Sequence, residues 1–249
     1  MKVAAIIQAR MGSTRLPGKA LKKIQGKTIL WHIINRVKHS KLIDYVIIAC
    51  TIKNEDKAIE DFAKKNSIKV YRGHVNDIVD RFYNAAKIVD ADIIVRLWGD
   101  CPLIDPKLID DALKVFIDKK IDYLNNFNPP SYPSGLNFEI YSFETLYKIL
   151  KNTKDAFFRE YPFEYVYNNK QSFKTFYDKN KEDLSNIHLT VDYQQDFDLI
   201  SVIFEKLLKR GKIFYLEDII KLIKEKPELQ MLNINLKRNI EYEQDLKKR

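Results

Sequence analysis

The sequence predicts one α/β domain of three-layer, Rossmann-like type, with a mostly parallel sheet, helices on both faces and a small inserted lobe. Two observations lead to this fold class. Short apolar runs that suit buried strands alternate with stretches that suit helices, which is the order of successive βαβ units. The chain has 249 residues, of which 45% are hydrophobic, so it can bury a sizeable core without disulfides or a structural metal.

The predicted elements alternate regularly along the first half of the chain. Strands are expected at 3–8, 45–51, 68–71, 92–97 and 121–125, and helices at 28–38, 55–65, 77–89 and 107–118. Strands that are joined through helices lie parallel in one sheet. The pattern therefore predicts a parallel sheet with its helices packed on both faces.

The pattern changes beyond residue 125. Residues 125–135 are rich in Asn, Pro, Ser and Gly, which indicates a loop and a candidate wall of an active site. Short strands are expected after it near 137–141, 173–177 and 187–191, and helices near 142–151, 156–169, 194–209 and 216–225. We interpret residues 1–235 as one domain with a lobe near 126–180, followed by a loosely held polar tail at 236–249.

Charge and cysteine content restrict the class of protein. The formal net charge is +9, and residues 1–40 contain nine Lys or Arg and no Asp or Glu. Cations clustered around a glycine-containing turn suit a small polyphosphate ligand. Proteins that bind nucleic acid tend to have a basic stripe interleaved with aromatic residues, and this sequence has none, so no nucleic-acid partner is expected. Cys50 and Cys101 stand alone, so a reducing cytoplasm is expected. The apolar run at the start is too short for a signal peptide or a membrane span.

The first candidate site is the stretch 8–19, directly after the first predicted strand. Ligands of open α/β sheets bind beyond the carboxyl ends of strands, so a nucleotide is expected at this loop. Gly12 lets backbone N–H groups approach phosphate oxygens, and Ser13 adds a hydroxyl donor. The cations of the loop are Arg10, Arg15 and Lys19. Neither GxxxxGK[ST] nor GxGxxG is present, and a tight turn with incidental cations is the alternative.

Two aspartates at strand ends form the second candidate site. Asp100 follows the strand predicted at 92–97, where a carboxylate can hold Mg²⁺ against substrate phosphates. Asp105 instead suits the cap of the next helix, and Asp192, taken alone, would also suit a helix cap. As a pair, Asp100 and Asp192 suit Mg²⁺, which is commonly held by one or two carboxylates plus phosphate oxygens. Mn²⁺ would suit the same ligands.

Six stretches of the sequence carry a family resemblance. They are IIQARMGSTRLPGKAL, YRGHVNDIVDRFYNAA, GDCPLIDP, YPSGLNFEIYSFETL, Arg159-Glu160 and LTVDYQQDFDLI. In this order they resemble the cytidylyltransferases of the SpsF type, which are similar to CMP-sialate and CMP-Kdo synthetases. The resemblance runs from residue 2 to about residue 230. It implies transfer of CMP from CTP to an acceptor with release of pyrophosphate, for a surface or spore-coat type polysaccharide.

The loop pattern and the resemblance together predict the nucleotide site. Its residues are Gln8, Ala9, Arg10, Gly12, Ser13, Arg15, Lys19, Arg72, Asp80 and Arg81. Gln8 is the candidate partner of the cytosine edge, and Asp80 with Arg81 would equally suit a surface ion pair on a helix. The predicted catalytic residues are Arg10, Lys19, Asp100 and Asp192. The resemblance implies that Asp100 and Asp192 are the metal ligands.

The acceptor pocket is predicted in the lobe. Its candidate residues are Tyr132, Gly135, Asn137, Glu139, Arg159 and Glu160. Arg159 suits a carboxylate or a phosphate, while the Tyr and Phe side chains nearby would equally suit the core or a dimer surface. A hairpin of this region reaches a second subunit in the relatives, so the resemblance implies a homodimer.

Two departures from the family pattern concern the acceptor. Trp98 stands where a Thr is expected, and Tyr161 stands where a His is expected. These changes leave the CTP chemistry intact but leave the acceptor open. A sugar acid, an amino-sugar derivative, a polyol phosphate or a phosphonate would all suit the loop chemistry.

Two other functions account for part of the sequence. A glycosyltransferase of related architecture would use a nucleotide sugar and a DxD motif at a strand end. The two DxD stretches, 90–92 and 196–198, instead begin a predicted strand and lie within a predicted helix. A non-catalytic module that binds nucleotides or nucleic acid is suggested by charge alone, and salt-sensitive binding of oligonucleotides would support it. The pair of strand-end aspartates favours an enzyme.

Overall fold

The computed structural model describes residues 1–209, 212–238 and 240–249. The strands that these residues form are β1 (Val3–Gln8), β2 (Lys23–Ile24), β3 (Lys27–Thr28), β4 (Tyr45–Thr51), β5 (Lys69–Gly73), β6 (Ile93–Trp98), β7 (Tyr123–Asn125), β8 (Glu139–Ser142) and β9 (Thr175–Tyr177). Their helices are α1 (Ile29–Val37), α2 (Lys57–Lys65), α3 (Ile78–Lys87), α4 (Pro106–Asp118), α5 (Phe143–Asn152), α6 (Ala156–Glu160), α7 (Pro162–Asn168), α8 (Gln194–Leu207), α9 (Leu216–Glu225) and α10 (Ile240–Lys247).

Seven strands form one sheet in the order β5-β4-β1-β6-β8-β7-β9. The first four of these strands are mutually parallel. Strand β8 runs antiparallel to both β6 and β7, and β9 is parallel to β7. The predicted fold class is confirmed, since the sheet is mostly parallel and helices cover it.

The core lies on both faces of the sheet. Along β1, Val3, Ala5 and Ile7 belong to one apolar cluster, and Ala4 and Ile6 belong to the other. Helices α1, α2, α4, α8 and α9 cover the first face, while α3, α5 and α7 cover the second. Successive side chains of a strand point to opposite faces, so a strand buried on both faces is apolar throughout.

Local structure departs from the sequence-based prediction in three places. The helix expected at 156–169 is divided into α6 and α7, because Pro162 lacks an N–H group and disfavours helical geometry at the residue before it. The strand expected at 187–191 does not form, and this stretch makes only an isolated bridge between Ser134 and His188. A small antiparallel hairpin of β2 and β3 was not predicted.

Residues 236–249, predicted as a polar tail, include helix α10 and contact the rest of the protein. The Arg238 guanidinium lies 2.7 Å from the Asp196 carboxylate. The Tyr242 hydroxyl donates to Glu164 on α7. Among the described residues, no helix combines the length and apolar character needed to cross a bilayer.

The turn at Gly135 brings the lobe against the segment that precedes α8. The Ser134 N–H donates to the Ile187 carbonyl at 3.1 Å, and the Leu189 N–H donates to the Ser134 carbonyl at 2.9 Å. Gly135 has a φ of +92°, and an added Cβ would lie 2.5 Å from the carbonyl carbon of Leu189. Only glycine fits this close approach without displacing the segment that leads to Asp192.

Replacing Gly135 by alanine should therefore destabilise the fold. We expect the free energy of unfolding to fall by about 3 kcal/mol, which combines the cost of a positive φ with that of overpacking. Gly26→Ala is the matched control, because Gly26 has a φ of +76° and no atom lies within 4 Å of an added Cβ. The control should lose only about 1 kcal/mol. Equal losses in chemical denaturation would contradict this account of Gly135.

Candidate active site

Asp100 and Asp192 meet at the carboxyl edge of the sheet, with the ammonium of Lys19 between them. The Lys19 Nζ lies 2.6 Å from Asp100 Oδ2 and 2.9 Å from Asp192 Oδ1. It also donates to the Val191 carbonyl at 2.9 Å. The Arg15 Nη2 lies 3.0 Å from Asp192 Oδ1. The fold thus brings the carboxylate that follows β6, the carboxylate that precedes α8 and two loop cations into one cluster.

Burial and charge have opposite effects on the pKa values of this cluster. Burial by itself lowers the pKa of Lys19, but Asp100 and Asp192 outweigh it and raise that pKa above its usual value. Burial would raise the pKa of Asp192, yet Lys19 and Arg15 hold it below the usual range. Both groups are therefore charged at neutral pH. The stabilisation from Asp192 is present above its unfolded pKa and is lost as the pH falls through the lower folded value.

A cavity of about 240 Å³ lies beside the cluster and is lined by most of the predicted nucleotide residues. The predicted residues that line it are Gln8, Ala9, Arg10, Ser13, Arg15, Lys19, Asp100, Glu160 and Asp192. Ile78, Arg96, Trp98, Tyr161 and Tyr242 line it as well but were not predicted for the nucleotide site. The lining thus combines polar groups of the loop with the aromatic side chains of Trp98, Tyr161 and Tyr242.

The nucleotide loop is held in place by a buried carboxylate that sequence reasoning missed. Asp56 is fully buried. One of its oxygens accepts from the Met11 N–H at 2.6 Å, and the other accepts from the N–H and the hydroxyl of Thr51. Further along the loop, the Gly18 N–H donates to the Met11 carbonyl at 3.1 Å. An acidic residue before a charged helix gives no signal of burial, so only the tertiary structure shows this role.

Glu139, predicted for the acceptor pocket, does not line the cavity of about 240 Å³. It does not line the larger cavity that adjoins this one either. Its fully buried carboxylate pairs with Arg96 Nη1 at 2.6 Å and accepts from the hydroxyls of Tyr123 and Tyr141. Burial opposes the charge of Arg96, but Glu139 outweighs it and raises the guanidinium pKa. Arg96 in turn donates to Gln8 Oε1 at 3.0 Å. Glu139 thus acts through Arg96, which orients the Gln8 amide.

Several other predicted residues line neither cavity and instead contact other groups of the protein. Arg72 pairs with Glu60 at 2.9 Å, and its guanidinium also donates to the carbonyls of Thr51, at the end of β4, and Lys53. Arg159 pairs with Asp77 at 2.6 Å and so joins α6 to the start of α3. The predicted residues that line neither cavity are Gly12, Arg72, Asp80, Arg81, Gly135, Glu139 and Arg159. Their side chains, where they have one, are directed to protein partners by local packing.

A second cavity, of about 670 Å³, adjoins the first on the other side of the aspartate pair. Tyr132 and Asn137, both predicted for the acceptor, line it. The residues that line both cavities are Arg96, Trp98, Asp100, Tyr161, Asp192 and Tyr242. Asp100 and Asp192 therefore lie at the boundary between the two cavities, together with Trp98 and Tyr161.

The loop 125–135, predicted as a wall of the active site, contributes Phe127 to the second cavity, and residues outside any predicted site complete it. They include Phe163, His188, Arg238 and Tyr242. Phe127 contacts Trp98 edge to face, with ring centroids 5.7 Å apart, and contacts Phe163 at 5.9 Å. One wall is thus aromatic, while His188 and Arg238 add cationic or hydrogen-bonding groups. No spacing in the sequence relates these residues to one another.

The aspartate pair has the ligand chemistry of a site for a divalent cation. Two carboxylate oxygens and the Val191 carbonyl already surround one positive group, the Lys19 ammonium. Hard divalent cations prefer carboxylate and carbonyl oxygens. Within the described part of the chain, no cluster of three or more His, Cys, Asp or Glu could hold a metal.

A mostly parallel sheet that presents a cationic loop and an aspartate pair at its carboxyl edge defines a nucleotidyltransferase. The chain belongs to the cytidylyltransferase family, because a sequence model of that family matches residues 4–243. It is 37% identical over 241 residues to an uncharacterized protein of Methanocaldococcus jannaschii, covering 95% of this chain and 96% of that protein. It is therefore an enzyme that uses CTP.

Two further comparisons agree with this assignment. The chain is 29% identical over 215 residues to the spore coat polysaccharide biosynthesis protein SpsF of Bacillus subtilis, covering 84% of this chain and 88% of that protein. The structure of a cytidylyltransferase from Leptospira borgpetersenii superposes with a TM-score of 0.88 at 37% identity, covering 96% and 100% of the two chains. The resemblance to the SpsF type is confirmed.

The buried Arg96–Glu139 pair provides a test of how the site is supported. Glu139→Gln should lower the free energy of unfolding by about 3–5 kcal/mol, because the Arg96 charge would stay buried without its partner. Glu144→Gln is the control, since that side chain is 64% exposed on α5, and it should leave stability unchanged. Equal denaturation midpoints for the two variants would contradict the supporting role of Glu139.

Proposed function

We propose that this protein transfers CMP from CTP to a sugar acid or a related acceptor, with release of pyrophosphate, during biosynthesis of a surface or spore-coat type polysaccharide. The observation that carries the proposal is the position of Asp100 and Asp192 between two cavities. The smaller cavity has the loop cations and suits CTP. The larger one suits the acceptor, so the reacting atoms would meet at the aspartates.

The loop residues divide the recognition of CTP among them. Gln8 accepts a hydrogen bond from Arg96 through its amide oxygen, so its NH₂ group is the donor that it can offer to a cytosine edge. Arg10, Arg15 and Lys19 line the same cavity. Guanidinium and ammonium groups bind phosphate oxygens by charge-assisted hydrogen bonds. We assign the triphosphate to these three cations.

The transfer is a displacement at the α-phosphorus of CTP. An oxygen of the acceptor attacks in line and forms the new P–O bond, while the bond to the β-phosphate breaks and its electron pair leaves with pyrophosphate. The acceptor proton passes to water. Negative charge grows on the leaving group, and Arg10, Arg15 and Lys19 stabilise it because their charges are already oriented by the fold.

Asp100 and Asp192 would hold a divalent metal ion, either Mg²⁺ or Mn²⁺. When bound, such an ion supplies Lewis-acid charge that neutralises phosphate oxygens. Lys19 contacts the same carboxylates, so we expect its ammonium to exchange these contacts for phosphate oxygens when CTP and metal bind.

The acceptor cavity combines cationic and aromatic groups. The guanidinium groups of Arg96 and Arg238 line it together with Trp98 and Phe163. His188 lines it as a neutral imidazole, because burial and the charge of Arg238 lower its pKa.

The forks of both guanidinium groups are occupied by Glu139, Gln8 and Asp196, so their positive charge, and not a bidentate contact, would attract a carboxylate. The less polar face of a sugar ring suits an aromatic wall. These features support a sugar acid, as does the similarity to a protein named for spore coat polysaccharide biosynthesis.

The cellular setting forms part of the proposal. CTP is a metabolite of the cytoplasm, so we place the reaction there. We also propose a homodimer formed through the lobe near 126–180, as the family resemblance implies. Sedimentation of the purified protein tests this assembly, since a monomer at micromolar concentration would contradict it.

Calorimetric binding of CTP in the presence of Mg²⁺, beside ATP, GTP and UTP, tests the proposed function. We expect selective binding of CTP, followed by pyrophosphate release when a sugar acid is added. Preference for another nucleotide, or failure to bind any, would contradict the proposal. Turnover of a nucleotide sugar would favour a glycosyltransferase instead.

Lys19→Met should change the affinities for CTP and for metal in opposite directions. We expect CTP binding to weaken at least tenfold, or by about 1.4 kcal/mol, because a phosphate-binding cation is lost. Free Mn²⁺ should bind more tightly, because the ammonium no longer competes for Asp100 and Asp192. Calorimetry with CTP and electron paramagnetic resonance with Mn²⁺ measure the two effects. The exposed Lys23→Met is the control, and a variant at Lys19 that weakens both affinities would refute this role.

Asp100→Asn and Asp192→Asn should each lower turnover with the fold retained. The expected loss is at least about 100-fold, which is typical when one oriented electrostatic group at a developing charge is removed. Asp118→Asn, at an exposed position on α4, should keep full activity. Wild-type turnover in either of the first two variants would remove the metal assignment.

A further inference from the structure

A fully buried carboxylate lies directly behind Asp192. Asp196, in the first turn of α8, has no exposed surface. Its Oδ2 accepts from the Asp192 N–H at 3.0 Å and from the Tyr193 N–H at 2.9 Å. The backbone that carries the Asp192 side chain is therefore attached to this carboxylate.

The counter-charge of Asp196 comes from the C-terminal segment, by which we mean the described residues from Asn233 to Arg249. The Arg238 guanidinium forms a two-pronged contact, with Nη1 at 2.8 Å from Oδ2 and Nη2 at 2.7 Å from Oδ1. The Asn233 Nδ2 also donates to Oδ1, at 2.7 Å. The Arg238 side chain is 15% exposed, so the ion pair is largely shielded from solvent. Both Asp196 oxygens are thus held by groups from the last part of the chain.

A second contact links Arg238 to the cations of the nucleotide loop. The Tyr193 ring lies between two guanidinium groups, 5.2 Å from Arg15 Cζ and 6.0 Å from Arg238 Cζ. The Tyr193 hydroxyl donates to the Lys237 carbonyl at 3.1 Å. Arg15 is also the residue that contacts Asp192 from the loop. The Asp192–Tyr193 segment is therefore held from both sides.

We infer that Arg238 is a positioning residue for Asp192, acting through Asp196, and that the C-terminal segment is a working part of the active site. The inference rests on the proposed function, in which Asp192 holds the metal with CTP. An acidic first-turn residue can cap a helix by itself. A helix cap of this kind needs no guanidinium partner. The contact of Arg238 with both Asp196 oxygens instead fixes the orientation of the carboxylate. Groups that orient a metal ligand typically affect metal affinity 10–100-fold.

Arg238→Gln tests the inference through metal binding as well as turnover. Mn²⁺ affinity is measured by electron paramagnetic resonance with a non-hydrolysable CTP analogue present, and circular dichroism verifies the fold. We expect Mn²⁺ binding about tenfold weaker than in the wild type. Arg249→Gln is the matched control, because Arg249 belongs to the same segment but contacts Asp155. The control should bind Mn²⁺ like the wild type.

A double-mutant cycle separates positioning from a general loss of stability. If Arg238 acts through Asp192, Asp192→Asn combined with Arg238→Gln should bind Mn²⁺ no more weakly than Asp192→Asn alone. Losses that add would overturn the inference. So would unchanged Mn²⁺ affinity in a folded Arg238→Gln variant.

Arg238→Lys covers the case in which Arg238→Gln fails to fold. Lysine keeps the charge beside Asp196 but cannot form the fork, so we expect a several-fold loss of Mn²⁺ affinity, and no loss would overturn the inference. The Mn²⁺ affinity of the wild-type protein distinguishes a failure of the proposed function from a failure of the positioning role of Arg238. A wild-type protein that does not bind Mn²⁺ with the CTP analogue contradicts the proposed function, whereas normal wild-type binding with no effect at Arg238 contradicts only the positioning role.

Discussion

The shared ammonium of Lys19 is the interaction on which the site depends. Asp100 and Asp192 come from segments after β6 and before α8, and two carboxylates so close would repel without a cation between them. Lys19 contacts both, at 2.6 and 2.9 Å. The Val191 N–H also donates to the Asp100 carbonyl at 2.9 Å. One positive group thus joins three parts of the chain, and it lies where a metal and a phosphate would bind.

The charged groups around this cluster are oriented by buried partners. Glu139 orients Arg96, Asp196 holds Arg238, and Asp56 holds the start of the nucleotide loop. Buried ion pairs contribute little net stability, because desolvation offsets the attraction between the charges. The value of the two ion pairs here is geometric, since Glu139 and Asp196 each fix the direction of a guanidinium that lines a cavity. The chemistry of transfer needs such fixed charges more than it needs a nucleophilic side chain.

The two cavities to which we assign CTP and the acceptor are built from different parts of the chain. The smaller cavity is built largely from the loop after β1, and the larger one from segments of the lobe and the C-terminal part. Trp98 and Tyr161, which depart from the family pattern, line both. Substitution at these positions would therefore change the shape of both cavities without removing the loop cations.

The sequence by itself determined the fold class and, with the family motifs, predicted the nucleotide loop and the aspartate pair. Apolar periodicity reveals the parallel strands, whose carboxyl ends converge at one edge of the sheet, and this predicts the position of Asp100. The strand expected before Asp192 does not form, so the pairing of Asp192 with Asp100 rests on the family motifs. The direction of other polar side chains depends on register and packing. Glu139 lies opposite Arg96 in the β6–β8 pairing, which a short strand does not reveal.

Only the tertiary structure assigned Asp56, Arg238 and Tyr242 to the site. Each lies far along the chain from the group that it contacts, and no periodicity or motif relates the two. Arg238 reaches Asp196 across 42 residues. Sequence patterns report which segments become strands and helices, because that depends on neighbouring residues. Contacts between distant segments depend on how those elements pack, so the supporting network of the site became visible only in three dimensions.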